Sequence, residues 1–316
     1  MEKIYEVLRV LEGKPVFLKE HLDRLQNSWL FYHSEPMDSK TLKKEILALA
    51  SQGLDPHNIR IEVEIEGGAY LLTRVEGAYP SQEMKEKGVD LATYKHMRHN
   101  PQVKAIDPLL NERAQAFRQE KGVYSLLYVY EGEVGECQRA NIFFIRDGVL
   151  ITARDEDVLL GVTRQKVLEI AQDLNLPLVK RIVRQEELFT MEAAFMTGTS
   201  IHILPVRKID GFAYNVEHPF LEKLSREMDR QFYEEERVVE SEDTQEEKDF
   251  ERGGQMKKLY RSDDAKLAGV CGGLGEYLQV DPNVIRILWI IFAAMGGSGI
   301  LAYLLAALII PKRNES

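Results

Sequence analysis

The chain has 316 residues and a formal net charge of −10, from 51 acidic and 41 basic side chains. That balance excludes the basic face expected of a nucleic-acid binder, and the length allows a sizeable core in more than one domain. Its two cysteines, Cys137 and Cys271, stand far apart; such sparse usage fits a reducing compartment and offers no metal-ligand spacing. The N-terminus begins with charged residues and a strand pattern rather than a signal peptide.

In chain order, Ile4–Leu11 alternates loosely and turns at Glu12-Gly13-Lys14 into Val16-Phe17-Leu18, which reads as a β-hairpin. Leu22, Leu25, Trp29 and Leu30 then recur at helical spacing, and residues 39–51 form a second helical segment. Ile59, Ile61, Val63 and Ile65 alternate with charged residues, and Gly67-Gly68 turns that strand back into Tyr70-Leu71-Leu72. Strands with helices laid on one side predict an α+β domain.

Beyond residue 100 the sequence changes texture. A helix closing at 117–122 leads into a strand over 124–130 and a turn at Glu131-Gly132, followed by the carboxylate Glu136. Ile142-Phe143-Phe144-Ile145 and Val149-Leu150-Ile151 flank Asp147-Gly148, a strong hairpin signal. Gly161-Val162-Thr163-Arg164 opens a helical pattern at Val167, Leu168, Ala171 and Leu174. Free N–H groups at such a start suit a phosphate, although most Gly-x-Thr starts only cap helices. Glu186–Leu188 reads as helix, Ala193–Ser200 as a strand ending in a Gly-containing turn, Val206–Gly211 as a turn, and Phe220–Phe232 as a closing helix.

The combination of Glu136, Asn141-Ile142-Phe143, Asp147-Gly148, Leu160-Gly161-Val162-Thr163-Arg164 and Phe195–Ser200 resembles the class IV (fold type IV) pyridoxal-phosphate aminotransferases. The family includes branched-chain and D-amino acid aminotransferases and aminodeoxychorismate lyase. The resemblance spans about residues 4–233. It implies a two-subdomain α+β enzyme: a small N-terminal subdomain over 1–100 and a larger cofactor-binding one over 101–233. It also implies pyridoxal 5′-phosphate as cofactor, an amino acid and a 2-oxo acid as substrates, and a homodimer. His21-Leu22-Asp23-Arg24-Leu25 matches the motif whose arginine contacts the phosphate, a role suited to a planar, permanently charged donor. Lys104 stands about thirty residues before Glu136, the family's interval between the cofactor-bonding lysine and the carboxylate beneath the pyridine nitrogen. Lys95 competes but fits that interval less well. Val162, Thr163, Thr199 and Ser200 would complete the phosphate site. Tyr5 falls where members place a substrate-facing aromatic, and Arg74 is the one arginine in the specificity region.

Two departures bear on chemistry. Family members usually read E-G-S-x-S-N where this chain has Glu136-Cys137-Gln138-Arg139-Ala140-Asn141, and Asp107-Pro108-Leu109 replaces the asparagine and tyrosine that often follow the lysine. A lyase, or a degenerate domain serving a membrane stress protein, are the alternatives to a transaminase.

Residues 234–255 are acidic and almost without apolar side chains, which reads as a disordered linker. From Met256 to about Arg313 the chain resembles the phage-shock-protein-C (PspC) family, through Leu267–Tyr277, Val280-Asp281-Pro282 and the Gly296–Gly299 break. Ile287–Ile310 lacks charge and is long enough to span a bilayer as one broken helix. The expected whole is a membrane-tethered enzyme with its catalytic domain cytoplasmic.

Overall fold

The structure is a computed structural model. It describes residues 3–53 and 56–232, with residues 270, 271, 274, 283, 285, 286, 306 and 307 of the tail. The chain divides into two compact units, Met1–Glu240 and Ser241–Ser316. The acidic linker expected over 234–255 lies outside the described residues, as does nearly all of the span expected over 287–310. Among the described residues no helix is long and apolar enough to cross a membrane.

The first unit is built on two sheets. The smaller contains β1 (Lys3–Leu11), β2 (Lys14–Pro15), β3 (His57–Glu64) and β4 (Tyr70–Val75), antiparallel in the order β2-β1-β3-β4. Alternation on β1 turns Ile4, Glu6, Leu8 and Val10 inward. Helices α1 (Leu18–Leu30) and α2 (Ser39–Ala50) cover that face, packing Leu25, Leu42, Ile46 and Ala50 on Ile4, Leu8, Ile59 and Ile61. Asp38 caps α2 by accepting from the N–H groups of Lys40 and Thr41.

The larger sheet has ten strands, with α3 (Gln82–Lys87) and α4 (Pro108–Lys121) packed against it. The strands are β5 (Val89–Lys95), β6 (Ser125–Tyr130), β7 (Glu133–Cys137), β8 (Asn141–Arg146), β9 (Val149–Thr152), β10 (Leu178–Lys180), β11 (Val183–Arg184), β12 (Ala193–Gly198), β13 (His202–Ile209) and β14 (Phe212–Ala213). The main path runs β10-β9-β8-β12-β13-β5-β6-β7-β11, with β14 paired to β13. Asp147 and Gly148 both take positive φ, 51° and 69°, as the tight hairpin between β8 and β9 requires.

The apolar runs of β8 and β12 are buried on both faces. Ile142, Phe144, Ala194 and Met196 enter one core; Phe143, Ile145, Ala193 and Phe195 enter the other, beneath α5 (Val162–Asp173) and a helix over residues 219–232. Phe143 and Phe195 stack with ring centroids 5.1 Å apart. Truncating such a buried ring to alanine costs about 3–5 kcal/mol. This two-sided core holds rigid the strand ends that carry the site.

Two expectations change. Residues 89–95, assigned from sequence to the small 1–100 subdomain, form β5 in the larger sheet, because Val89 and Leu91 pair with β13 and Leu91 also with β6. Val206–Ile209 continues β13 rather than turning; only Asp210-Gly211 reverses the chain, with φ of 48° and 88°.

Candidate active site

Lys104 reaches the site through a main-chain graft. The Tyr5 N–H donates to the Lys104 carbonyl at 2.9 Å and the Ile106 N–H to the Lys3 carbonyl at 2.9 Å, so the lysine segment pairs with the open edge of β1. Its Nζ lies 5.1 Å from the Tyr5 ring centroid and 3.7 Å from Glu6 Oε1. The side chain is 14 % exposed. Burial is the main cause that lowers the Lys104 amine to about 8; Arg24 and Arg98 push the same way, while Glu6 and Glu136 oppose. An amine titrating there is partly neutral at working pH, as a nucleophile or a base must be.

Lys104 shares a cavity with Tyr5, Arg24, Arg98, Glu136, Asn141 and Thr197, and with the Gly161–Arg164 start of α5. Glu136 is a buried residue of β7, not the surface carboxylate that hairpin edges usually carry. Its Oε2 accepts from Asn141 Nδ2 and from the Leu159 N–H, each at 3.1 Å. Oε1 is in contact with Arg98 Nε at 2.8 Å, but without hydrogen-bond alignment. Burial raises the Glu136 carboxyl, opposed by Arg98 and by the Leu159 N–H.

The other wall is the N-terminus of α5. Gly161 occupies the N-cap without a side-chain cap, so the first N–H groups of the helix face the cavity unclaimed by the helix ladder. A Cβ at Gly161 would stand 2.1 Å from Asn141 Oδ1, so glycine is required for this approach. Arg164 is fully buried and ties the helix start to the chain after β9, donating to the Ala153 carbonyl at 2.8 Å and pairing with Asp155 at 2.8 Å. Arg24 comes across from α1, its Nη1 pointing to the Leu160 carbonyl at 3.4 Å.

The structure therefore brings together Lys104, Glu136, Arg24, Val162, Thr163, Thr199 and Tyr5. Two expected residues are elsewhere. The Ser200 hydroxyl accepts from Asn58 Nδ2 at 2.8 Å and is not part of the cavity wall, because the turn after β12 directs it toward β3. Arg74 is exposed on β4, two strands away from β1, and its guanidinium lies over Gly53. The competing Lys95 is exposed at the end of β5. Asn141 and Thr197 stood in the motifs that carry the resemblance but were given no role, and Glu6 and Arg98 were missed. Glu6 had a signal: it is an acid in the inward register of Ile4, Leu8 and Val10.

Pyridoxal phosphate fits these residues. Glu136 Oε1 and Thr197 Oγ1 are buried without hydrogen-bond partners, which is costly unless a ligand satisfies them. A cation and a helix N-terminus facing one another suit a dianionic phosphate. Fold and cavity thus define a class of protein: the type IV aminotransferase fold with a lysine and a carboxylate in one pocket.

The chain belongs to the class IV aminotransferases. The amino-transferase class IV family matches residues 3–209, and the PspC domain matches residues 257–313. This family is pyridoxal-phosphate dependent. A probable branched-chain-amino-acid aminotransferase of Synechocystis is 35 % identical over 101 residues, 32 % of this chain and 33 % of that relative. The chain thus spans about a third of that relative's length. A probable branched-chain-amino-acid aminotransferase of Thermotoga maritima is 27 % identical over 226 residues, 68 % of this chain and 80 % of the relative. Among solved structures, a putative branched-chain amino acid aminotransferase from the same organism superposes with a TM-score of 0.67 at 24 % identity, covering 73 % of this chain and 86 % of the other. A putative 4-amino-4-deoxychorismate lyase from Legionella pneumophila gives 0.65 at 23 % identity, covering 72 % and 91 %.

Proposed function

We propose that the first unit is a pyridoxal-phosphate-dependent transaminase acting on an amino acid and a 2-oxo acid, and that the PspC domain tethers it to a membrane with the enzyme on the cytoplasmic side. The observation that carries the enzymatic reading is the shared cavity of Lys104 and Glu136, closed by the glycine-started α5 and Arg24. When bound, the cofactor supplies an aldehyde for the substrate's amine and a ring that accepts electrons from its Cα.

Each residue has a part in that scheme. Arg24, the backbone at Val162 and Thr163, and Thr199 hold the phosphate. Glu136, anchored by Asn141 and the Leu159 N–H, keeps a proton on the ring nitrogen. Lys104 Nζ would hold the proton taken from the substrate's Cα and deliver it to the cofactor's aldehyde carbon, on the far side of the nitrogen that links them. Tyr5 borders this region, its ring centroid 5.1 Å from Lys104 Nζ, where it would face the substrate. We place the working form as a homodimer, on family resemblance alone.

The test is spectroscopic and chemical. Purified protein should show a visible absorption band after incubation with pyridoxal phosphate, and Lys104→Ala should abolish it. Amino transfer from an amino-acid panel to 2-oxoglutarate, without pyruvate release, separates transamination from a lyase. A colourless protein that gains no band would refute the reading; a band without turnover on any donor would mark a degenerate domain.

A further inference from the structure

The charges around Glu6 go beyond a lysine, a carboxylate and a phosphate cradle. Glu6 is fully buried in β1, with apolar neighbours Ile4 and Leu8 along its own face and Ile61 opposite on β3. Three basic side chains converge on it. From α1, Arg24 donates Nε to Oε1 at 2.9 Å and Nη2 to Oε2 at 2.8 Å, and His21 Nδ1 lies 2.5 Å from Oε2. From the grafted segment, Lys104 Nζ stands 3.7 Å from Oε1. Beyond Lys104 lie Arg98 and Glu136, which form their own pair.

We infer that Glu6 is a positioning residue: it fixes the Arg24 guanidinium so that Nη1 alone faces the start of α5, and it sets the charge balance behind Lys104. The first half rests on the proposed cofactor reading; the second does not. A guanidinium carries five N–H groups in one rigid plane. Two on one edge are taken by Glu6, which locks that plane, and Nη1 is left beside Leu160, at the lip of the helix N-terminus. A free arginine on a helix would instead sample many rotamers. On the other side, a carboxylate at 3.7 Å favours the ammonium form of Lys104 against burial and against the Arg24 and Arg98 charges. Burial alone would raise the Glu6 carboxyl; Arg24, Lys104 and His21 outweigh it and hold the carboxyl well below its ordinary range. Glu6 is therefore an anion at every pH at which the site could work. Burial lowers His21, against the attraction of Glu6.

The experiment uses the full-length chain with Glu6→Gln and Glu6→Asp. In cofactor-free protein, the pH dependence of acylation at the Lys104 amine is followed by mass spectrometry of the peptide that contains it. Half-maximal reactivity is expected near pH 8 in the parent and lower by about one unit in Glu6→Gln. The charge-retaining Glu6→Asp should stay close to the parent. Separately, binding of pyridoxal phosphate is compared with that of pyridoxal, which lacks the phosphate. Glu6→Gln should reduce the preference for the phosphorylated form over pyridoxal about tenfold, the scale of one displaced charge-assisted hydrogen bond.

An unmoved Lys104 midpoint in folded Glu6→Gln, or an unchanged preference for pyridoxal phosphate over pyridoxal, would overturn the inference. If Glu6→Gln does not fold, Glu6→Asp decides: the shorter carboxylate should lose phosphate preference while keeping the midpoint, and parent values on both would refute the role. A parent that binds neither compound defeats the cofactor reading, while the Lys104 midpoint still judges Glu6.

Discussion

Tyr5 and Lys104 are joined through both backbone and side chain: the Tyr5 N–H donates to the Lys104 carbonyl at 2.9 Å, and the lysine Nζ lies 5.1 Å from the tyrosine ring. They are ninety-nine positions apart in the chain. The contact makes the small sheet part of the site, because the edge of β1 sets where the lysine's main chain runs. Its side chain can then reach Glu6 on one side and the cavity on the other.

Removing the lysine should have the largest chemical effect. Lys104→Ala is expected to lower amino transfer by at least about 100-fold, since it deletes both the covalent partner and the acid–base group. Folding should survive, because the main-chain pairing does not need the side chain. Stopped-time assays with thermal melting would separate the two effects.

Glu136→Gln should retain bound cofactor but turn over slowly, by about 100-fold or more, the usual cost of losing a preorganised electrostatic partner. The amide is nearly isosteric but cannot hold a proton on a ring nitrogen as an anion does. Single-turnover rates compared with cofactor affinity would check it; equal losses in both would contradict this division of roles.

The close approach at Gly161 predicts a cost from one methyl group. In Gly161→Ala the new Cβ would stand 2.1 Å from Asn141 Oδ1, and Asn141 also holds Glu136 and the Leu159 carbonyl. Overpacking of this kind costs about 1–3 kcal/mol. Denaturant melts should register that loss, and cofactor affinity should fall with it. A parent-like midpoint would mean that Asn141 is free to move.

The lowered Lys104 amine makes cofactor-free stability depend on pH. Between about 8 and the ordinary lysine value of 10.5 the unfolded chain is protonated at this amine and the folded chain is not. The unfolded state then binds more protons, so stability rises with pH across that window. The melting temperature of the parent relative to that of Lys104→Met should therefore rise from pH 7.5 to pH 10. A constant difference would indicate an unshifted amine.

Cys137 replaces a small residue of the family's usual loop, yet it is a poor nucleophile. The thiol is fully buried, and burial next to Glu136 pushes its titration up, far beyond the physiological range. Alkylation at pH 8 should leave it unmodified in the folded protein and label it on unfolding, as read by peptide mass.

Local sequence alone determined much of this protein. The Asp147-Gly148 hairpin, the helix opened by Gly161, and the apolar strands that became β8 and β12 were readable because turn chemistry and hydrophobic period act over a few residues. The interval between Lys104 and Glu136 was likewise visible, though its meaning came from family resemblance. Tertiary structure decided which of these residues meet. Arg74 was plausible by position and lies two strands from β1, whereas Arg98 attracted no notice and is in contact with Glu136. Glu6 looked like one more acid in an acidic chain, until burial on β1 placed it against Arg24, His21 and Lys104. Spacing along a strand or helix is a local property. A buried charge is defined by partners tens of residues away, and only the folded chain brings those partners within reach.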